Sequence, residues 1–213
     1  MDFLTDAELV LYSNSVRMGA RRVTWHPASN SPFFIERGPA NASQYLDWVM
    51  GGHYSATLPD GSLLQLTYEI DGGEVTGHRL AYVPCPVVLD ERLLWEGEPI
   101  ADTVRVYLDE PTGSAIALRS PVRVDLDLRA ASAGHPAAHL TFNESDCRIA
   151  CVAPMHPYRF IDFVFRHFYP TLRATQEEWF REASRSMLGS RVLADEDRAF
   201  PHLAWDLHPG LAR

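Results

Sequence analysis

The sequence contains no lysine: all 19 basic residues among its 213 are arginine. That absence excludes chemistry that needs a side-chain amine, such as Schiff bases, the P-loop lysine and the kinase lysine. It also removes the lysine of many restriction-type nuclease sites. Cysteine is scarce. Cys85, Cys147 and Cys151 are an odd number at no disulfide-framework spacing, which fits a reducing compartment. No run approaches the roughly 18 apolar residues of a membrane span. The start, MDFLTDAELVLYSNSV, lacks the basic and continuously apolar regions of a signal peptide. A cytoplasmic location with no membrane partner is expected. No internal repeat or low-complexity segment is present. Abundant arginine and alanine without lysine suggest a GC-rich genome.

Apolar residues make up 46% and charged residues 22%, close to a globular average, which excludes wholesale disorder. The net charge of -9 makes the chain a poor non-specific binder of nucleic acid. The charge is uneven, however. Residues 61–118 carry a net -7, whereas residues 119–170 carry +1 and four of the nine histidines. A polyanion is expected to meet the chain at 119–170.

Thr5-Asp6-Ala7-Glu8 reads as a capping box, predicting a helix to about Met18. Residues 26–39 hold Pro27, Pro32, Gly38 and Pro39 and read as a long loop. Asn41 predicts a cap for a short helix near 43–50, ended by Gly51-Gly52. An antiparallel meander follows. A strand near 54–58 meets the turn Pro59-Asp60-Gly61. Residues 62–70 alternate, with Leu64, Leu66, Tyr68 and Ile70 opposite Gln65, Thr67 and Glu69. Asp71-Gly72-Gly73 predicts a hairpin into a third strand near 75–83, stopped by Pro84-Cys85-Pro86. Residues 87–103 read as irregular, with a short strand at 93–95. Strands at 104–108 and 115–118 flank the turn 110–113. Residues 121–129 alternate again, Val122, Val124, Leu126 and Leu128 against Arg123, Asp125, Asp127 and Arg129. Ala138, Leu140 and Phe142 alternate with His139, Thr141 and Asn143. Residues 147–152 read as a strand buried on both faces. Helices follow at 158–169 and, from the capping box Thr175–Glu178, to about Leu188.

Helix, then strands, then helices argues for an α+β fold. One domain over 1–213 is expected, with a helical part at 1–52, a sheet at 53–153, helices at 154–189 and a surface tail at 190–213. The mainly antiparallel, twisted sheet would pack its N- and C-terminal helices on one face, leaving the other for function.

The polar strand faces collect Gln65, Thr67, Glu69, Arg123, Asp125, His139 and Asn143, with His78, Arg79, Arg119, His135 and Arg148 nearby in sequence. Metal-free phosphodiester cleavage needs that set: a histidine or carboxylate moves the proton, and guanidiniums stabilise the phosphorane. His139 is the expected general acid or base and His135 its assistant. Glu69 or Asp125 would orient a histidine. Arg123, Arg148, Arg119, His78 and Arg79 would hold phosphate. The same polar face is also what water requires of any half-exposed sheet. His135-x-x-x-His139 with Cys147-x-x-x-Cys151 has zinc-ligand residue types at a spacing unlike the C-x-x-C classes, so core cysteines are expected. Cys85, rigid between two prolines, reads as a buried structural thiol or a nucleophile. Glu69 with Asp125 and Asp127 is the alternative, magnesium-dependent reading. The phenylalanine stripe of 160–168 reads as helix packing or as an anchor for a partner. Neither a cofactor nor a bound metal is expected.

The strings GSLLQLTYE (61–69), GHRLAYVPCP (77–86), RSPVRVD (119–125), HPAAHL (135–140), CRIA (147–150) and PYRFIDFVFRHFY (157–169) together resemble a bacterial family of about 200 residues known only as a domain of unknown function. The resemblance spans most of 53–170 and implies no activity or catalytic residue. More loosely, the order Gly-Ser, Arg-x-Asp, His-x-x-x-His is similar to small toxins paired with nucleotidyltransferase-like antitoxins. The cysteine strand and two helices after the histidines depart from that pattern. The reading is a toxin-type or phage-defence phosphodiesterase acting on nucleic acid. The alternatives are a non-catalytic subunit that uses the acidic 61–118 segment to dock a protein partner or a second copy of the chain, and a small-molecule pocket over the sheet.

Overall fold

The computed structural model describes residues 1–25, 41–109, 116–117, 119–142 and 146–205. The expected loop at 26–39, the turn at 110–113, the strand at 115–118 beyond Ile116 and Ala117, and Asn143 lie outside these residues.

The N-terminal part departs from expectation. A five-residue helix α1 (Asp2–Asp6) gives way to short strands β1 (Tyr12–Ser13), β2 (Arg17–Met18) and β3 (Arg22–Thr24). Glu8 adopts a φ of 54°, a left-handed conformation that no α-helix can carry through. Thr5 caps no amide; its hydroxyl bonds that of Ser13 at 2.9 Å. Leu9 and Val10 are buried while Val16 is exposed, so the segment presents no continuous helical face to the core.

Helix α2 (Ala42–Met50) starts where its cap predicts: Asn41 Oδ1 accepts from the Gln44 amide at 3.0 Å. Strand β4 (Ala56–Thr57) leads through Pro59-Asp60-Gly61 into β5 (Leu63–Asp71). A two-residue turn, Gly72-Gly73, connects β5 to β6 (Glu74–Val83). Both glycines have positive φ, 59° and 85°, as a type I′ hairpin requires.

Residues 87–109, expected to be irregular and stranded, hold two helices. Asp90 Oδ1 caps α3 (Glu91–Trp95), and α4 (Ile100–Asp109) takes in the expected strand at 104–108. The sequence Val-Arg-Val-Tyr-Leu fits a period of two, but Ile100, Val104, Tyr107 and Leu108 recur at helical spacing. All four meet the same apolar cluster. The sheet resumes with β7 (Val122–Asp127), β8 (Ala138–Phe142) and β9 (Arg148–Cys151). Helices α5 (Pro157–Phe168), α6 (Pro170–Ala174) and α7 (Glu177–Ala183) follow. The expected capping box at 175 is not formed. The Thr175 hydroxyl donates to the Leu172 carbonyl at 2.8 Å, so it belongs to the end of α6. The expected surface tail includes a 3₁₀ turn and a further strand, β10 (His202–Leu203).

The ten strands form one open, mostly antiparallel sheet in the order β1-β4-β5-β6-β7-β8-β9-β10, giving an α+β architecture. Strand β5 is shared on one edge: β4 pairs its first residues and β3 pairs Thr67–Glu69, with β2 outside β3. Strand β10 joins β9 in parallel. No helix among the described residues is long and apolar enough to cross a membrane.

The pleat assigns the two faces. Leu64, Leu66, Tyr68, Leu80, Tyr82, Val124, Leu126 and Leu140 point to one side. There Phe160, Ile161, Val164 and Phe165 of α5, Phe180 of α7 and Leu4 of α1 cover them. Asp162 of α5 is buried and takes Arg166 at 3.0 Å and Arg173 of α6 at 2.8 Å, tying α5 to α6. The other face is half covered as well. Leu63, Ala81 and Val83 pack under Tyr45 and Trp48 of α2, Leu94 of α3 and Val104 of α4. Helices therefore lie on both faces, not one, and only the remaining half of the second face is polar.

Candidate functional site

Strand register gathers the polar side chains into two rows. Thr67 lies opposite Arg79, Arg79 opposite Asp125, and Asp125 opposite His139. In the neighbouring row Gln65 faces Ala81, which faces Arg123, which faces Thr141, which faces Arg148. Asp125 is the hub. Its Oδ2 lies 2.6 Å from Arg123 Nε and 3.6 Å from His139 Nε2, and its Oδ1 lies 3.8 Å from Arg79 Nε. The side chain of Asp125 is 6% exposed and that of Arg123 13%, whereas that of Arg79 is 49% exposed. Arg148, 21% exposed, reaches Asp146 at 3.5 Å. The Thr141 hydroxyl and Arg148 Nε are buried without a hydrogen-bond partner among the described residues. Three guanidiniums thus gather on a sheet face that holds one buried carboxylate.

Both ring nitrogens of His139 face protein groups. Nδ1 lies 2.9 Å from the Pro136 carbonyl and so carries the hydrogen; Nε2 faces Asp125. Burial holds the His139 pKa below the ordinary histidine value, and the Asp125 carboxylate only partly offsets it. The His135 ring stands edge-on to His139 with centroids 5.0 Å apart, and its Nδ1 has no hydrogen-bond partner among the described residues.

Three expected members stand elsewhere. His78 precedes Arg79 on β6, so the pleat turns it to the opposite, apolar face. There its Nε2 accepts from the Met155 amide at 3.0 Å, and burial pushes its pKa down to about 3. It is a core histidine, not a phosphate ligand on this face. Arg119 lies at the end of the sheet, its Nη1 2.9 Å from Asp60 Oδ2. Glu69 is on the polar face but faces Gly77 and pairs with Arg22 at 3.5 Å, so Asp125, not Glu69, is the carboxylate beside a histidine. Asp127 shares the face, yet its Oδ1 accepts from the amides of Arg129 and Ala130 and is committed to a turn. Among the described residues no group of three or more His, Cys, Asp or Glu side chains is placed to hold a metal ion. Cys151 is buried in the core while Cys147, expected beside it, is exposed. Burial raises the Cys85 thiol to about 11 and the Cys151 thiol to about 12, leaving both protonated at neutral pH.

A second polar network was not visible in the sequence. Asp60 Oδ1 accepts from the Tyr169 hydroxyl at 2.8 Å and from the Ser62 amide at 3.0 Å. The Tyr82 hydroxyl lies 3.3 Å from that of Tyr169, and the Ser62 hydroxyl accepts from the Cys85 amide at 3.0 Å. The partners Asp60 and Tyr169 are 109 residues apart, and no local motif links them.

The fold and this face define an α+β protein with an open sheet and an arginine-rich polar surface. The family described as an uncharacterised conserved protein, DUF2290, matches residues 6–205, and the chain belongs to that family. No curated protein and no solved structure matches it.

Proposed function

We propose that the polar face binds the phosphodiester backbone of single-stranded nucleic acid and that the chain cleaves it without a metal. The observation that carries this reading is that Arg79 and Arg123 flank the buried Asp125, while Arg148 continues the row of Arg123 and Thr141, and the Thr141 hydroxyl and Arg148 Nε have no hydrogen-bond partner among the described residues. A phosphate oxygen satisfies those donors and balances the guanidinium charge. Arg79 and Arg148, the more exposed pair, meet the phosphate. Asp125 holds Arg123 in place. The ribose 2′-hydroxyl of RNA, or water on DNA, attacks phosphorus and the bond to the leaving oxygen breaks; His135, whose Nδ1 has no hydrogen-bond partner among the described residues, takes the nucleophile's proton, and the leaving oxygen takes one from water. His139, fixed by its Nδ1–H on the Pro136 carbonyl, positions the His135 ring that stands edge-on to it. Such an activity suits the effector of a bacterial toxin–antitoxin pair or of phage defence, acting in the cytoplasm.

The test is cleavage of labelled RNA and single-stranded DNA by wild type, Arg148→Gln and His135→Ala, with magnesium and with EDTA. Cutting that survives EDTA and is lost in His135→Ala supports the proposal. Cutting that EDTA abolishes transfers the chemistry to metal-bound carboxylates. Binding without cutting leaves a recognition module. Two phosphates neutralised by Arg79 and Arg148 on a single strand give a slope of about -1.4 in log K against log salt, and each Arg→Gln at these positions removes roughly 0.7 of it.

A second reading, a non-catalytic subunit, is favoured by one separate surface. Residues 87–109 carry six acids against Arg92 and Arg105, and Trp95 and Val106 are exposed there. An aromatic anchor ringed by carboxylates suits a basic protein partner. Charge reversal at Glu91 and Glu98 would then dissolve the complex while sparing nucleic-acid binding.

A further inference from the structure

Beside the second core, at the end of the sheet away from Asp125, lies a cavity of about 480 Å³. We propose that it binds a small apolar carboxylate, independently of any nucleic-acid binding on the arginine-rich half of the face. Its walls include Tyr45 and Trp48 of α2, Val83 and Pro84 after β6, Leu108 of α4, and Pro121. Its size falls in the range of small-molecule sites, and aromatic and proline walls suit a flat or linear hydrocarbon body.

Among the described residues that line it, one side chain is charged, Arg119. Asp60 grips it by Nη1 alone, at 2.9 Å. Nε and Nη2, the outer fork of the guanidinium, have no hydrogen-bond partner among the described residues. Asp60 itself is anchored by the Tyr169 hydroxyl and the Ser62 amide, which fixes the carboxylate that holds Arg119. That network places no group on the fork. The N-terminus of α2, at Asn41 and Ala42, also lines the cavity and adds positive potential. One planar fork matches one planar carboxylate in a bidentate pair. A phosphate dianion would bring twice the charge to a site that holds a single arginine already shared with Asp60. The apolar walls and single fork therefore select a monocarboxylate over a nucleotide.

The test is isothermal titration of the 213-residue chain with 2-naphthoate, its neutral isostere 2-naphthamide, and adenosine monophosphate. Wild type is expected to bind one naphthoate, about tenfold or more tightly than the amide, as a charge-assisted bidentate contact implies. Arg119→Gln is expected to erase that preference. Ala42→Trp, which adds bulk at a lining position, is expected to remove binding of both ligands. Thermal melts confirm that each variant folds. Equal affinity of wild type for acid and amide overturns the proposal, as does naphthoate binding unchanged in Ala42→Trp. A preference for adenosine monophosphate, or no naphthoate binding up to millimolar concentration, overturns it equally.

Discussion

Replacing Asp125 by asparagine tests whether one carboxylate organises the polar face. The change keeps shape and removes a charge. Two guanidiniums and a histidine surround that charge, but they do not weigh equally. Arg79 is half exposed at 3.8 Å and screened by water, so its loss costs little, about 0.5 kcal/mol. His139 is held mainly neutral by burial. Arg123 dominates: it lies 2.6 Å away, and both partners are largely buried. Stripping a buried guanidinium of its counter-ion costs about 3–5 kcal/mol. The amide oxygen of asparagine still faces Arg123, which places the expected loss near the lower bound, about 3 kcal/mol at neutral pH. Urea unfolding of wild type and variant at low salt measures it. The same experiment in phosphate adds a second arm. If the face is an anion site, the variant gains more stability from phosphate than wild type, because the ligand replaces the missing charge. Saturation at a hundred times the dissociation constant returns about 2.7 kcal/mol. A loss below about 1 kcal/mol, or equal phosphate stabilisation of both proteins, would refute the assignment of Asp125 as counter-ion to a ligand-ready arginine cluster.

Acid should destabilise the fold through His78. Its folded pKa of about 3 lies below the unfolded value near 6.5, so the unfolded chain binds the extra proton. Its contribution is complete above about pH 6.5 and is lost as pH falls towards 3, by roughly 5 kcal/mol; His78→Gln should flatten the stability–pH slope by up to one proton between pH 6 and 4. Phe165→Ala removes a fully buried ring between α5 and the sheet and should cost about 3–5 kcal/mol in urea unfolding. Gly73→Ala forces a Cβ into a φ of 85° and should cost about 1–2 kcal/mol although nothing lies within 4 Å of it, whereas a neutral result would deny the type I′ turn. Asn41→Ala should cost about 1 kcal/mol by orphaning the Gln44 amide, measured by the same unfolding.

Legibility followed the period of the apolar pattern. The hairpin β5–β6 was readable because alternation and a Gly-Gly turn agree, and α5 because Phe160, Val164 and Phe168 keep helical spacing and Pro170 closes the run. Helix α4 was not, because five residues at 104–108 satisfy both periods and only Ile100, outside that window, decides between them. The N-terminal segment misled because Thr5 and Glu8 carry a capping signal that local propensity favours and packing of Leu9 and Val10 overrides. In the candidate site, parity alone placed Arg123 and Asp125 on one face. That Arg79 and His139 stand beside them depends on register, which no single strand encodes. His78 and Arg79 are consecutive on a strand and point to opposite faces, so parity already separates them. The Asp60–Tyr169 contact spans half the chain and left no local trace.

The parallel pairing of β10 with β9 has a consequence for how the chain is made. Strand β9 ends at Cys151, yet its outer partner begins at His202, after three helices have been threaded between them. During synthesis the β5–β9 meander is complete while its β9 edge still displays unpaired amides and carbonyls to the surrounding cell. Helices α5–α7 can cover the apolar face in that interval, but they cannot cover an edge. A nascent or proteolysed chain that stops short of residue 202 therefore leaves that edge open to strand exchange with another copy, and the two residues of β10 are what close it.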